Sequence, residues 1–242
     1  MRILSTLLIL CLASSCQQSR PQLVANDDAL IYLDNKRGAS LLSSASSKED
    51  FLPLISRFET QKNLAYCGPA SCAMVLNALE VEAPATLSHG SYRFFTQENL
   101  FTKDAEKVID ASTVRRQGMT LDELAGVLTA SGVNAEAVHA EATNLSDFRK
   151  RANAWIGSKN AFVLVNYLRS AIRQKKGGHI SPLAAYDSRT DRFLILDVSR
   201  YKYPPVWVSA ADLFDAMNTS DSTSGKSRGF VLVSGKAVSP KD

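Results

Sequence analysis

Cysteine and histidine are scarce in this chain of 242 residues, which holds four Cys and three His. No CxxC pair or Cys/His cluster has the spacing of a metal site, so we predict no metal ligands and no tightly bound cofactor. Cys11 and Cys16 lie within and at the end of the N-terminal leader, and only Cys67 and Cys72 belong to the predicted folded domain. On one predicted helix their side chains point in different directions and should not form a disulfide. Cys72 is expected to be a small buried packing residue.

Charge of either sign is also modest. The 28 Lys and Arg residues exceed the 24 Asp and Glu residues by only four, and the surplus is scattered along the chain. This distribution argues against a nucleic-acid-binding surface, and it leaves the protein free to accept an anionic small molecule.

The sequence lacks an apolar run long enough to cross a membrane. Its N terminus has instead a short basic lead, an apolar run to Ala13, and the string Ala13-Ser-Ser-Cys16. We predict a signal peptide over residues 1–15. Because the string resembles a bacterial lipoprotein processing site, we also predict a lipid anchor on Cys16 of an exported, periplasmic protein. An ordinary signal peptide with an incidental cysteine is the alternative.

A polar segment and one compact domain follow the leader. Residues 16–48 are Ser-rich, and we predict a tether and an N-terminal arm in which only residues 30–33 pack on the domain. Residues 49–238 form the predicted folded domain. The hydrophobic content of 45% is sufficient for a sizeable core.

Helical patterns dominate the first part of this domain and strand patterns the second. Helices are predicted over residues 69–79, 120–132, 144–155 and 210–217, with Thr120 and Glu123 forming a capping box. Strands are predicted over residues 161–166, 179–186, 192–199, 205–208 and 229–234. This order indicates an α+β protein with an antiparallel C-terminal sheet.

The segment from Gln61 to Asn77 contains the residues that point to a reaction. It predicts an extended stretch that turns at Cys67-Gly68 into a helix, with Pro69 in the first turn. The thiol then lies at the positive end of the helix dipole, which favours a thiolate. The side-chain amide of Gln61 and the backbone N–H of Cys67 could together form an oxyanion hole. A buried structural cysteine at a helix start is the alternative.

A predicted hairpin brings a histidine and an acid together. A turn-forming string at residues 187–191 joins the strand that begins at His179 to the next strand. If the hairpin is centred on Arg189, His179 and Asp197 are diagonal neighbours on one face of the sheet. A slip of one residue would separate them. In this register Asp197 orients the imidazole while the other ring nitrogen addresses Cys67.

Three strings carry a family resemblance: NLAYCGPAS around Cys67, GGHISPLAAYD at residues 177–187 and FLILDVSRYKYPPVWV at residues 193–208. The spacing of Gln61 and Cys67 is also similar to that of papain-like cysteine peptidases. From about residue 51 to 234 the chain resembles the phytochelatin synthases, particularly the short bacterial ones. The resemblance implies a papain-like fold in which the catalytic helix packs on the C-terminal sheet.

The same resemblance implies roles for individual residues. The implied catalytic residues are Cys67, His179, Asp197 and Gln61. The implied substrate-binding residues are Arg228, Asn166 and Tyr186, with Arg228 holding a carboxylate of a γ-glutamyl group. An exposed arginine on a loop is the alternative interpretation of Arg228.

The implied reaction removes glycine from glutathione through a γ-Glu-Cys thioester on Cys67, and then transfers the acyl group to water or to a second glutathione. Plant-type enzymes carry a Cys-rich C-terminal region that is missing here, so we expect hydrolysis to exceed phytochelatin synthesis. A heavy-metal ion would enter as a thiolate complex of glutathione, in keeping with metal detoxification. A general papain-like peptidase and an exported binding protein with an inactive site are the alternatives. The oligomeric state, with a homodimer as one option, stays open.

Overall fold

The computed structural model describes residues 29–87 and 90–235, so the predicted signal peptide and Cys16 lie outside the described residues. Within these ranges the chain forms seven α-helices: α1 (Lys36–Ser44), α2 (Phe51–Ile55), α3 (Cys67–Ala78), α4 (Ala111–Gln117), α5 (Leu121–Ala130), α6 (Leu145–Ile156) and α7 (Ala210–Met217). The same ranges contain seven strands: β1 (Leu30–Tyr32), β2 (Asn134–His139), β3 (Ala161–Leu168), β4 (Gly178–Asp187), β5 (Arg192–Ile195), β6 (Val206–Ser209) and β7 (Gly229–Ser234). No helix in this part of the chain has the length and apolar character needed to span a membrane.

The strands form one antiparallel sheet in the order β1-β6-β5-β4-β3-β7-β2. Two of its inner strands, β3 and β7, are buried along nearly their whole length. Strands covered on both faces are apolar in sequence rather than alternating, which explains the runs AFVLVNYL and GFVLVS. The predicted α+β class with an antiparallel sheet is confirmed.

Helices cover both faces of the sheet. On one face, α1, α2, α3 and α5 pack over side chains such as Leu164 and Val231. On the other face, α6 and α7 pack over side chains such as Val165 and Phe230. Helix α3 is buried from its first residue to Asn77, as expected for a helix whose apolar residues are not confined to one stripe. It contacts β4, which confirms the predicted packing of the cysteine helix on the sheet.

The predicted N-terminal arm is part of the domain from residue 29 onwards. Strand β1 pairs with β6 at the edge of the sheet, and α1 follows with Asn35 as its N-cap. The Trp207 indole N–H donates to the Gly38 carbonyl at 3.1 Å. A Cβ atom on Gly38 would lie 2.0 Å from the Tyr32 carbonyl oxygen, so only glycine allows α1 to lie this close to β1. The boundary predicted at residue 48 therefore falls inside the folded domain.

The hairpin of β4 and β5 contains one extra residue. Next to the turn, Ala185 pairs with Leu194, which is one residue away from the predicted register. A β-bulge between Leu183 and Ala185 absorbs the extra residue, and beyond it Leu183 pairs with Ile195, as a hairpin centred on Arg189 requires. The predicted register is therefore wrong at the turn and correct on the side that leads to His179 and Asp197.

Candidate active site

Cys67 is the first residue of α3, which confirms the predicted turn from an extended loop into a helix. The first backbone N–H groups of a helix have no intrahelical acceptor and carry its positive partial charge. They therefore stabilise a negative charge on the thiol or on a group bound beside it. A Cβ atom on Gly68 would lie 2.6 Å from Met119 Sδ, so glycine here lets Met119 approach the start of the helix.

His179 and Asp197 lie side by side, as the predicted register requires. The Nε2 atom of His179 is 2.9 Å from Asp197 Oδ1, and both side chains are almost completely buried. Several other groups fix the carboxylate. The Ser199 backbone N–H donates to Oδ1 at 2.8 Å, and the Arg169 guanidinium donates to both carboxylate oxygens at 2.8 and 2.9 Å. Ser181 Oγ lies 2.9 Å from Nε2 of the imidazole.

The buried charges set the protonation of the two reactive groups. Burial raises the pKa of the Cys67 thiol, but the hydrogen bond and charge of His179, helped by Arg169, outweigh burial and hold this pKa below its ordinary value. Burial lowers the pKa of His179, yet the Asp197 carboxylate outweighs it, so the net shift is upward. Because Asp197 engages Nε2, the hydrogen bond to the thiol falls to Nδ1. These shifts favour a thiolate–imidazolium pair.

Cys72 has the opposite environment on the same helix. Its side chain is completely buried. Burial, with a smaller contribution from the nearby Cys67, raises the pKa of the Cys72 thiol far above its ordinary value. Neither cysteine is in a disulfide. The prediction that Cys72 is a buried packing residue is confirmed.

Gln61 is held at both ends of its side-chain amide. Its Nε2 donates to the Asn63 carbonyl at 2.5 Å, and its Oε1 accepts from Ser199 Oγ at 2.5 Å. Nε2 carries a second hydrogen that could reach an oxyanion. The side chain is buried behind the cavity wall rather than lining it. Its role as the second oxyanion donor beside Cys67 stays a prediction.

A cavity of about 870 Å³ opens over Cys67 and His179. Its wall includes residues 62–66, residues 115–119 and residues 221–223. Asn166 and Arg228 also line it, which places both of these predicted substrate-binding residues beside the thiol and the imidazole. The volume is typical of sites for small molecules.

Arg228 is buried and only partly satisfied. Its Nη1 donates to the carbonyls of Thr219 and Ser220 at 3.3 and 2.5 Å. Its Nε is buried without a hydrogen-bond partner among the described residues. The guanidinium lies against Gly178, where a Cβ atom would be 3.3 Å from Nη2. A buried donor beside the strand of His179 suits a ligand carboxylate, and the alternative of an exposed loop arginine is wrong.

Tyr186 lies away from the cavity. Its ring centroid is 4.5 Å from that of Phe193, and its hydroxyl donates to Asp191 at 2.8 Å. Each strand residue advances about 3.3 Å, so Tyr186 is roughly 23 Å from His179 along β4. The expectation that Tyr186 lies near the substrate is therefore wrong, because its hydroxyl and ring are engaged in the β4–β5 hairpin.

The sequence prediction missed the polar residues that surround His179 and Asp197: Arg169, Ser181 and Ser199. The sequence signal for Arg169 is a charged residue directly after the apolar strand β3. Ser181 and Ser199 gave no separate signal, since either could face solvent in a strand of ordinary composition. Among residues 29–87 and 90–235, no group of three or more His, Cys, Asp or Glu side chains is placed to hold a metal ion.

A thiol at a helix N terminus, paired with a histidine that a carboxylate orients, is the arrangement of cysteine-dependent acyl-transfer enzymes. The particular family follows from the sequence. The model of the phytochelatin synthase family matches residues 22–230, so the chain belongs to the phytochelatin synthase family.

Individual relatives agree with this assignment. The chain is 38% identical over 187 residues to glutathione gamma-glutamylcysteinyltransferase 3 of Lotus japonicus, covering 77% of this chain and 38% of that protein. It is 35% identical over 207 residues to glutathione gamma-glutamylcysteinyltransferase 1 of Triticum aestivum, covering 86% and 40%. The chain thus spans about two fifths of the length of these curated relatives. Among solved structures, xylellain, a cysteine protease from Xylella fastidiosa, aligns with a TM-score of 0.45 at 10% identity, over 82% of this chain and 89% of that one.

The lowered pKa of Cys67 can be tested by alkylation. At pH 6 we expect iodoacetamide to modify Cys67 at least about tenfold faster than an ordinary thiol, because the thiolate persists below the usual thiol pKa. The rate should fall only when the pH drops below the lowered pKa. Peptide mapping by mass spectrometry separates Cys67 from the other cysteines.

Two controls accompany this measurement. Cys72 should stay unmodified until the protein unfolds, since its thiol is buried and its pKa is raised. His179→Gln removes both the hydrogen bond and the charge that favour the thiolate, so Cys67 in this variant should react slowly at pH 6. Fast alkylation of Cys67 in the His179→Gln variant would contradict the thiolate–imidazolium pair.

Proposed function

We propose that the protein is a glutathione γ-glutamylcysteine dipeptidyltransferase and peptidase. The observation that carries the proposal is one cavity that joins the paired Cys67 and His179 to the buried, only partly satisfied guanidinium of Arg228. The first pair supplies a nucleophile and a proton carrier, and the guanidinium suits the carboxylate of a γ-glutamyl group. The names of the relatives, glutathione gamma-glutamylcysteinyltransferases, support the same substrate.

In the first half-reaction the Cys67 thiolate attacks the carbonyl carbon of the Cys–Gly peptide bond. A C–S bond forms, the C–N bond breaks, and His179 gives its proton to the departing glycine amine. The product on the enzyme is a γ-Glu-Cys thioester. The Cys67 backbone N–H and the Gln61 amide stabilise the oxyanion, while Asp197 orients the imidazole and stabilises its protonated form.

Water then accepts the acyl group more often than a second glutathione does. An acceptor amine must be held about 3 Å from the thioester carbon, which requires an ordered second site, whereas water needs only access. Lys62 and Glu98 at the cavity wall form an ion pair with half-exposed side chains, which supports a wet cavity. A heavy-metal ion enters as a glutathione thiolate complex, and metal detoxification is the corresponding role.

Product analysis tests this proposal. With millimolar glutathione and cadmium, we expect glycine and γ-Glu-Cys as the main products and short phytochelatins as minor ones. Cys67→Ser should abolish glycine release without unfolding the protein, while the matched change Cys72→Ser should keep most of the activity. Rapid acid quenching and mass spectrometry should show a γ-Glu-Cys adduct on Cys67.

The possible outcomes separate the parts of the proposal. An adduct on Cys72, or no glycine release at all, would overturn the assigned reaction. Cleavage of a peptide library without turnover of glutathione would favour a general peptidase. Phytochelatin yields above those of γ-Glu-Cys at every glutathione concentration would overturn the preference for hydrolysis alone.

Arg228 should contribute mainly to substrate binding. Arg228→Lys keeps a positive charge but loses the planar fork, and we expect KM for glutathione to rise about tenfold or more, with a larger rise for Arg228→Ala. Arg115→Lys is the matched control, since Arg115 lines the same cavity with an exposed side chain. Steady-state kinetics measure the effect. Unchanged KM values in both Arg228 variants would contradict the proposed role of Arg228 in substrate binding.

Export and lipid anchoring at Cys16 belong to the proposal as well. The apolar run that ends in Ala13-Ser-Ser-Cys16 supports them, and so does the start of the family match at residue 22, beyond the predicted cleavage site. Expressed in a bacterial host with its full N terminus, the protein should partition into membranes and begin at an acylated Cys16. Cys16→Ala should release the domain or stall its processing. An unprocessed chain in the cytoplasm would refute export.

A further inference from the structure

Arg169 forms a two-pronged ion pair with Asp197 behind the reactive groups. Its Nη1 and Nη2 atoms lie 2.8 and 2.9 Å from the two carboxylate oxygens. The exposed fractions of the two side chains are 4% and 0%. The Tyr203 ring lies under the guanidinium at 5.0 Å, and the Gln174 side-chain oxygen accepts a further hydrogen bond from Nη1. A buried ion pair seldom stabilises a fold more than apolar packing does. Fold stability alone therefore does not account for this pair, which points to a role in the reaction.

The charges around the imidazole explain why Arg169 is paired with Asp197 in a buried position. When Cys67 gives its proton to His179, the site holds two anions, the thiolate and the Asp197 carboxylate, but only one imidazolium. Arg169 adds the second cation, and the four groups together are then neutral. Without it a net negative charge would be buried, and the site would reduce that cost by taking up a proton from solvent at the thiolate, so that the thiol would lose its proton only at higher pH.

We infer that Arg169 is a charge-balancing and positioning residue, which by neutralising Asp197 allows Cys67 to stay a thiolate beside a protonated His179. The inference rests on Cys67 being the reactive thiol of the proposed function and is independent of the identity of the substrate. Its two-pronged contact also holds the carboxylate in the orientation that His179 meets.

The direction of the expected change follows from the charge. The guanidinium lowers the pKa of the Cys67 thiol and also lowers the pKa of His179. Removing it therefore raises both pKa values. The thiolate–imidazolium pair then forms at a higher pH, where the thiol loses its proton, and is lost at a higher pH, where the imidazolium loses its own. The curve of alkylation rate against pH therefore moves to higher pH.

The other titratable groups around Arg169 do not replace its charge. The Tyr167 ring meets the His179 ring edge-on at 5.7 Å. Burial raises the pKa of Tyr167 and of Tyr32, so both are neutral across this pH range. Partial desolvation lowers the pKa of Lys202, but its side chain is exposed, so solvent screens its charge. Among the described residues around Asp197, Arg169 is the buried cation with a permanent charge.

Alkylation of Cys67 as a function of pH tests the inference without any substrate. Arg169→Gln keeps hydrogen-bond donors for Asp197 but no charge, and its alkylation midpoint should rise by about one pH unit, which is about a tenfold loss of rate on the acidic limb. Arg169→Lys keeps the charge, so its midpoint should match the wild type. Its kcat with glutathione should nevertheless fall, because the two-pronged contact is lost.

Charge balance also predicts a rescue. The double variant Arg169→Gln, Asp197→Asn removes one charge of each sign and should return the midpoint towards the wild-type value, although kcat stays low without the orienting carboxylate. Lys175→Met removes an exposed charge from the loop that follows Arg169 and should leave the midpoint unchanged. Circular dichroism confirms that each variant is folded.

Three results would overturn the inference: a wild-type midpoint in Arg169→Gln, equal upward shifts in the Gln and Lys variants, or a double variant shifted as far as Arg169→Gln. If Arg169→Gln does not fold, the Lys and double variants carry the test, and an upward shift in either one overturns it. If the Arg169 variants shift as expected and the wild-type protein does not turn over glutathione, the proposed function is contradicted and this inference is supported.

Discussion

The contact between His179 and Asp197 depends on a single extra residue in the β4–β5 hairpin. The bulge between Leu183 and Ala185 shifts the pairing by one, so that the site end of the hairpin differs in register from the turn end. Because side chains alternate between the faces of a strand, a hairpin without this bulge would turn one of the two residues to the opposite face. The bulge thus sets the geometry on which the thiol, the imidazole and the carboxylate all rely.

Around that contact, the protein replaces water by fixed charges. The first turn of α3, the Asp197 carboxylate and the Arg169 guanidinium are held by backbone or paired side chains before any ligand arrives. Groups held in this way stabilise charge without the reorganisation that water would need. Apolar packing on both sides of the sheet makes this arrangement rigid, since α3 is buried along nearly its whole length.

The features that could be predicted from the sequence are those that a short stretch of residues determines by itself. The capping box of Thr120 and Glu123 and the apolar runs of β3 and β7 decide their own structures, and the sequence predicted them. The edge strands β1 and β2 are not predicted from the sequence. Strand β1 has only three residues, and β2 has the weakly apolar sequence NAEAVH. Such segments form a strand only where a neighbouring strand offers an open edge. The contact of His179 with Asp197 was predicted from a hairpin register that the structure does not have at the turn. The β-bulge between Leu183 and Ala185, which has no signal in the sequence, restores the predicted register beside these two residues. The burial of Arg169 depends on packing that no local pattern records.

The position of β7 has a consequence for the order of folding. Although it is the last strand of the described chain, it lies inside the sheet, and β2 and β3 are joined only through it. During synthesis these two earlier strands must wait for a distant segment, which makes the closing step non-local and slow. Until β7 joins, Arg228 is absent from the cavity wall and the helix of Cys67 packs on an incomplete sheet. The cavity wall beside Cys67 is therefore complete only after the last strand of the described chain has joined the sheet.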